Sequence, residues 1–286
     1  MSKTKPSLLF ELDSPWLWGA GVIRTFATEG LSNDEVLMQI FSDTATRPYI
    51  IETKEERRLH FTSEATQSIM LLEDPDALVS RYTRKMMAFL LFNANPREIL
   101  MIGLGGGSLA KFCYRHLPNT RITIVEINED VIALRDQFCV PQDDARFQVI
   151  QEDGARYMEG CTQKFDVILV DAFDAGGIAT SLPQSTFYLR ASQSLTRSGV
   201  LVMNFSGQEE RYVDNVCAIR EAFRDHVILV PVQSDGNLLL FARKRAFPQS
   251  ITDELERAAR RLQSRLQLEF PIYLRRICQG HTLAET

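Results

Sequence analysis

Two aspartates three positions apart, Asp171 and Asp174, follow the apolar run F-D-V-I-L-V at residues 165–170. Neighbouring carboxylates in a desolvated cleft attract positive charge, perturb each other's pKa and can accept a proton. Upstream, I-L-M-I runs into the turn G-L-G-G-G, with glycines at 103, 105, 106 and 107. Glycines there let the chain turn tightly and let a ligand approach the backbone where a Cβ would clash. Ser108 follows as a candidate helix cap, so the first helical N–H groups face whatever the loop holds. Beyond the glycines lies Glu126, at the end of R-I-T-I-V-E-I. In nucleoside-binding α/β folds, an acid about 20 residues past the glycines accepts hydrogen bonds from ribose hydroxyls. Asp153-Gly154 closes a further apolar run. The combined chemistry is capture of a nucleoside-bearing co-substrate with proton transfer beside it.

These residues need a scaffold that lines up strand ends. From Glu98 onward, strand and helix alternate, which implies right-handed crossovers and a parallel sheet. Strands are expected at 99–102, 121–127, 147–152, 165–170 and 199–205, with helices from Ser108, over 129–139 and over 209–223. A helix over 129–139 would turn Val131, Leu134 and Phe138 inward. A further helix is expected in S-L-P-Q-S-T-F-Y-L-R. Open α/β sheets bind ligands beyond the carboxyl ends of their strands, near the switch in strand order. The glycine loop, Glu126, Asp153 and Asp171–Asp174 all fall at such ends. Strands at 227–232 and 238–242, joined by S-D-G-N, form an antiparallel hairpin. The fold class is therefore α/β, a mostly parallel doubly wound sheet with an antiparallel C-terminal hairpin and a small N-terminal β-rich module. The expected organisation is an N-terminal extension and hairpin module at 1–75, a nucleoside-binding α/β domain at 76–245 and a helical tail at 246–286. Within the first part, Ser32 or Asn33 opens a helix with Val36, Leu37 and Ile40 on one face. Tyr49–Glu52 and Leu59–Phe61 flank a charged turn, K-E-E-R-R, and Thr62–Leu72 continues that sheet. Asp76–Phe92 reads as helical, and residues 250–268 as a charged helix. Trp16 and Trp18 are expected to pack against the main domain.

The 286 residues carry a net charge of −5, with 45% hydrophobic and 24% charged residues. That balance gives no reason to expect nucleic-acid or membrane binding. Five scattered cysteines form no C-x-x-C pair and read as reduced thiols in a cytoplasmic protein. With the four histidines dispersed, no metal site is expected. No apolar run of about 18 residues is present, so neither a membrane span nor a signal peptide is expected.

At these positions the chain resembles the spermidine synthase family of aminopropyltransferases, which share the S-adenosylmethionine-dependent methyltransferase fold. The resemblance runs from about Gln67 to Tyr188. It rests on the glycine loop, V-E-I around Glu126, Asp153-Gly154, D-x-x-D at Asp171 and Asp174, and the S-L…F-Y of Ser181, Leu182, Phe187 and Tyr188. The divergent bacterial spermidine synthase-like proteins share both G-L-G-G-G and D-A-F-D. The resemblance implies that decarboxylated S-adenosylmethionine binds at Gln67, Gly103, Gly105, Gly107, Glu126, Asp153 and Gly154. It implies Asp171 as proton acceptor, Asp174 as a holder of the cationic amine and Tyr82 as an orienting group. It also implies a small-molecule amine partner and, by family analogy, a homodimer. An amine whose free pKa is near 10 must lose a proton before it attacks the carbon beside a sulfonium, which suits an aspartate.

The chain departs from the family where the amine would bind. Gly106 stands where the family carries an aspartate that contacts the aminopropyl amine. Thr83-Arg84 replaces His-Glu, Ala175 replaces proline, and Q-S-D-G-N-L-L-L-F replaces a polyamine-binding aromatic stretch. These changes predict weak or absent turnover of putrescine. An alternative reading is a methyltransferase that uses intact S-adenosylmethionine, with Arg84 a partner for its carboxylate. A non-catalytic nucleoside-binding module conflicts with the two aspartates. A dehydrogenase conflicts with Ser108, which stands where the third glycine of G-x-G-x-x-G would lie.

Overall fold

The computed structural model describes residues 9–13, 21–26, 30–63, 65–174, 177–178, 185–206, 212–232 and 236–279. Trp16, Trp18, Ser181, Leu182, Ala175 and the Ser234-Asp235 turn lie outside the described residues. The chain divides into two compact units. The first comprises residues 1–79, 105–112 and 128–141, and the second 80–104, 113–127 and 142–286.

The first unit is built on five antiparallel strands in sequential order: β1 (Leu9–Asp13), β2 (Val22–Phe26), β3 (Tyr49–Glu52), β4 (Glu56–His60) and β5 (Thr66–Leu71). Helix α1 (Asn33–Phe41) starts on a capping box, with Ser32 and Glu35 satisfying each other's main-chain N–H groups. Its Val36 and Ile40 pack with Leu12, Ile23 and Tyr49. The expected hairpin forms, but Glu56–Arg58 belong to β4 instead of the turn. The turn is shorter, closed by Thr53 N–H donating to the Glu56 carbonyl at 2.9 Å. Arg57 pairs with Glu52 across the strands, so the charged residues are stabilised in extended conformation.

The second unit opens with α2 (Arg81–Met86) and a 3₁₀ segment, Met87–Leu91. A single helix over 76–92 is therefore not formed. The 3₁₀ segment is buried along its whole length, so its apolar side chains carried no helical stripe to read. The seven-stranded sheet follows: β6 (Glu98–Ile102), β7 (Arg121–Glu126), β8 (Phe147–Gln151), β9 (Phe165–Val170), then β12 (Leu195–Ser206), β13 (Val227–Val232) and β14 (Asn237–Arg243). The short strands β10 (Phe173–Asp174) and β11 (Gly177–Ile178) pair with each other. Spatial order is β13-β14-β12-β9-β6-β7-β8, and β14 alone runs against its neighbours. The mostly parallel sheet with an antiparallel C-terminal hairpin is thus as expected. Because the chain leaves β6 for β7 and returns to β9 on the other side, the switch point lies between β6 and β9.

Connecting helices are α3 (Ser108–His116), α4 (Glu129–Ala133), α5 (Gly154–Gly160), α6 (Ser185–Ser194) and α7 (Tyr212–Ala222). The Gly107 carbonyl accepts the first helical bond, from Lys111 N–H, so Gly107 and not Ser108 occupies the capping position of α3. Helix α4 stops well short of residue 139, and Cys139 has left-handed φ of 54°. Val131, Leu134 and Phe138 are buried even so. Phe187 and Tyr188 lie in the core of the second unit with Leu100, Ile168 and Met203. The tail forms α8 (Asp253–Leu266) and an unforeseen α9 (Phe270–Cys278), which begins on Pro271 and buries Phe270, Tyr273, Leu274 and Ile277. Among the described residues no helix is long and apolar enough to cross a membrane.

Candidate active site

Three acids stand just past adjacent strand ends of the second unit. Glu126 ends β7 and is buried, and its Oε2 accepts a hydrogen bond from Leu104 N–H at 2.8 Å. The loop after β6 therefore grips the carboxylate through main chain. Asp153 follows β8 and caps α5, its Oδ1 accepting from Arg156 N–H at 2.9 Å. Gly154, buried, begins that helix.

The third acid, Asp171, lies at the switch point. Its N–H donates to the Ile102 carbonyl at 2.9 Å. Gly103, at φ +96°, faces it so closely that a Cβ would meet the Asp171 carbonyl oxygen at 2.3 Å. A glycine is required there on both counts. Tyr82 Oη donates to Asp171 Oδ2 at 3.2 Å, and Asn204 Nδ2 donates to Oδ1 at 2.9 Å. Asn237 Nδ2 in turn donates to Asn204 Oδ1 at 3.0 Å. Burial pushes the Asp171 carboxyl above the ordinary carboxylate range, and the Asn204 and Tyr82 donors only partly offset it. A carboxylate raised by burial and held by two donors is suited to take a proton from a neighbouring cation.

Asp174 is placed by its main chain in β10, opposite Gly177, and its side chain lies outside the described residues. Arg84, expected as a repulsive or carboxylate-binding group, is engaged instead. Its Nη2 stands 2.9 Å from Glu269 Oε1, and Tyr273 Oη donates to Glu269 Oε2 at 2.6 Å. The partner comes from the start of α9, which the sequence pattern did not reveal.

Gln67, Gly105 and Gly107 belong to the first unit. Gln67 is half-buried in β5. Gly105 and Gly107 have φ of +51° and +69°, values that an L side chain rarely adopts. Between them Gly106 has no room: a Cβ would come within 2.7 Å of Ser68 Oγ and 2.9 Å of Phe138 Cδ1. Ser68 Oγ also lies 3.3 Å from Ser108 Oγ. The missing family aspartate is thus a steric matter, with Ser68 and Phe138 filling its place. Asn204, Asn237, Ser68 and Glu269 went unnoticed in the sequence. Only Asn204 had a signal, an amide within the apolar strand L-V-M-N-F.

The spermine/spermidine synthase domain profile matches residues 79–227. A polyamine aminopropyltransferase of Chromobacterium violaceum is 36% identical over 243 residues, covering 82% of this chain and 93% of the relative. A probable spermidine synthase structure from Corynebacterium glutamicum superposes with a TM-score of 0.62 at 19% identity, over 90% of this chain and 87% of that one. Human methyltransferase-like protein 13, in complex with SAH, superposes at 0.55 with 22% identity, over 70% and 93%. At such identities the two structures establish the fold alone, and a methyltransferase shares it.

Proposed function

The chain belongs to the spermine/spermidine synthase family, and from that premise we propose that it moves an aminopropyl group from decarboxylated S-adenosylmethionine to a small amine. The sulfonium of that substrate supplies a thioether leaving group, methylthioadenosine. The acceptor nitrogen forms a bond to the carbon beside sulfur, the carbon–sulfur pair goes to sulfur, and the nitrogen's proton goes to Asp171.

The observation that carries this reading is Asp171 itself, at the switch point between Tyr82 and Asn204 with its carboxyl raised by burial. Glu126 has its carboxylate fixed at a strand end and would bind the ribose. Asp153 and Gly154 would bind the adenine, and Gln67, Gly103, Gly105 and Gly107 would accommodate the remaining nucleoside and sulfonium portions. Tyr82 would orient the nucleophile, and Asp174 would hold the far charge of the amine. Asp171 must be ionised to act, so activity should fall as pH drops through a carboxyl pKa lying above the ordinary aspartate value.

Methyl transfer from intact S-adenosylmethionine is the second reading, favoured by the absence of an acid at Gly106. Its other support is weakened, since Glu269 already pairs with Arg84. The same ion pair removes one reason for rejecting putrescine. The remaining reason is the replaced aromatic stretch, where Leu239 and Leu240 are core residues of β14. On that basis the proposed acceptor is an amine other than putrescine. The working form is proposed to be a cytoplasmic homodimer, by family analogy, which sedimentation would check.

The test is an end-product assay on purified protein. Both sulfonium donors are offered with an amine panel, and methylthioadenosine is expected. S-adenosylhomocysteine as the only product would transfer the protein to the methyltransferase reading. Putrescine turnover with kcat/KM of about 10⁴ M⁻¹s⁻¹ or more would overturn the acceptor assignment.

A further inference from the structure

Asp171 is reached by a side-chain chain that starts two strands away. Asn237 Nδ2 donates to Asn204 Oδ1 at 3.0 Å, and Asn204 Nδ2 donates to Asp171 Oδ1 at 2.9 Å. Asn204 pairs with Leu239 in the β12–β14 ladder, so Asn237 is its diagonal neighbour on the same face. At 2% exposure, Asn204 has no bulk water to replace either partner.

A primary amide donates only through nitrogen and accepts only through oxygen. The Asn237 donor therefore turns the Asn204 carbonyl toward β14 and its NH₂ toward Asp171. A proton on Asp171 Oδ1 would then face another donor. The opposite oxygen, Oδ2, meets the Tyr82 hydroxyl, which donates when Asp171 is ionised and accepts after it rotates. Among the described residues, Tyr82 from α2 and Asn204 from β12 are the groups that face this carboxyl.

We propose that Asn237 and Asn204 act as positioning residues that set the polarity of the Asp171 carboxyl, holding Oδ1 as a permanent acceptor so that the proton taken from the amine lodges on Oδ2. The inference rests on Asp171 being the base, and it adds which oxygen works and what enforces the choice. Nothing in the D-x-x-D motif specifies it. The enforcing residues lie on the C-terminal hairpin, where the chain departs from the family's amine-binding stretch.

The sharpest test reverses the polarity without changing shape. In Asn237→Asp the new carboxylate accepts where an NH₂ donated. The Asn204 amide is driven to flip, turning its carbonyl toward Asp171. Asn237→Ser keeps a donor hydroxyl and serves as the conservative control. The readout is the pH profile of kcat/KM for the sulfonium donor, alongside methylthioadenosine affinity and thermal unfolding of each variant.

Losing a hydrogen bond to a charged group should move the acidic limb of Asn237→Asp upward by about one pH unit or more. Activity at neutral pH should fall about tenfold and recover on the alkaline side of the shifted limb. Asn237→Ser should lie between this variant and the parent. A merely structural role would lower activity at all pH values without moving the limb. An unmoved limb in Asn237→Asp, with nucleoside affinity intact, overturns the proposal. Should that variant fail to fold, Asn237→Leu, which removes the donor without adding charge, must show the same upward shift or the proposal falls. If Asp171→Asn retains full activity, the failure belongs to the assignment of the base.

Discussion

The acids of the candidate site are held in two different ways. Glu126 and Asp153 are held by main-chain N–H groups, of Leu104 and Arg156. Asp171 is held by side chains, the Tyr82 hydroxyl and the Asn204 amide. A main-chain donor is present whatever residue occupies its position, provided the backbone path is kept. A side-chain donor disappears with one substitution. The nucleoside end is thus tied to the fold itself, and the proton-accepting end can be retuned from neighbouring strands. The same contrast explains why the family resemblance is densest around the glycine loop and why the departures cluster around the amine.

The largest effect expected from this contrast is at Asp171. Asp171→Asn should lower turnover by about 10²–10⁴-fold, the usual worth of a general base, and leave methylthioadenosine affinity nearly unchanged. Steady-state kinetics with calorimetry separates the two quantities, and a matching loss of affinity would blur the division between the ends. Next is Gly103→Ala, which strikes the backbone path shared by both. A Cβ at φ +96° and 2.3 Å from the Asp171 carbonyl should cost about 3 kcal/mol or more in urea unfolding. A stable Gly103→Ala protein would mean that the switch point relaxes easily.

Gly106→Asp asks whether the amine end can be restored to the family pattern. With Ser68 and Phe138 in the way, it should destabilise the protein by about 1–3 kcal/mol and bring no gain in putrescine turnover. A gain would show that the packing yields and that the missing acid alone limits the reaction. Glu126→Ala is milder for the fold and specific to the nucleoside. Methylthioadenosine should bind about 1–3 kcal/mol more weakly, as calorimetry would record.

The same division governs what could be read from the chain. Residues held by main chain announce themselves locally, because strand end, turn glycine and acid are close in sequence. Gly103, Glu126 and Asp153 were found from spacing alone. So was the parallel sheet, since strand and helix alternate plainly after Glu98. Asn204 and Asn237 act across the β12–β14 ladder, and no local pattern links them. Glu269 reaches Arg84 from α9, whose start at Pro271 looks like the end of structure. Gly106 read as a lost acid and proved to be a filled space, because steric neighbours from β5 and from beyond α4 leave no trace in a glycine-rich string. Helix lengths failed where burial was complete or a left-handed residue intervened, as at Met87–Leu91 and Cys139.

The smallest prediction concerns a cation held, like Glu126, by main chain. Lys111 lies in α3 just after the glycine loop, 1% exposed, with Nζ donating to the Phe138 carbonyl at 2.7 Å. Burial brings its pKa down to about 8, with Arg57 adding repulsion and Cys139 and Asp76 opposing the shift. In the unfolded chain the amine keeps its ordinary value, about 10.4. Below pH 8 both states carry the proton, and the buried charge is a constant cost. Between about pH 8 and 10.4 the unfolded state binds more protons, so this group makes stability rise with pH, by at most about 1.4 kcal/mol per unit. Lys111→Met removes the titration while filling the space. Urea unfolding of parent and variant across pH 7–10 should therefore show the parent gaining on the variant only above about pH 8. A constant difference across that range would mean that Lys111 stays charged when folded. The Phe138 carbonyl, with Asp76 and Cys139, would then hold the ammonium as firmly as water does.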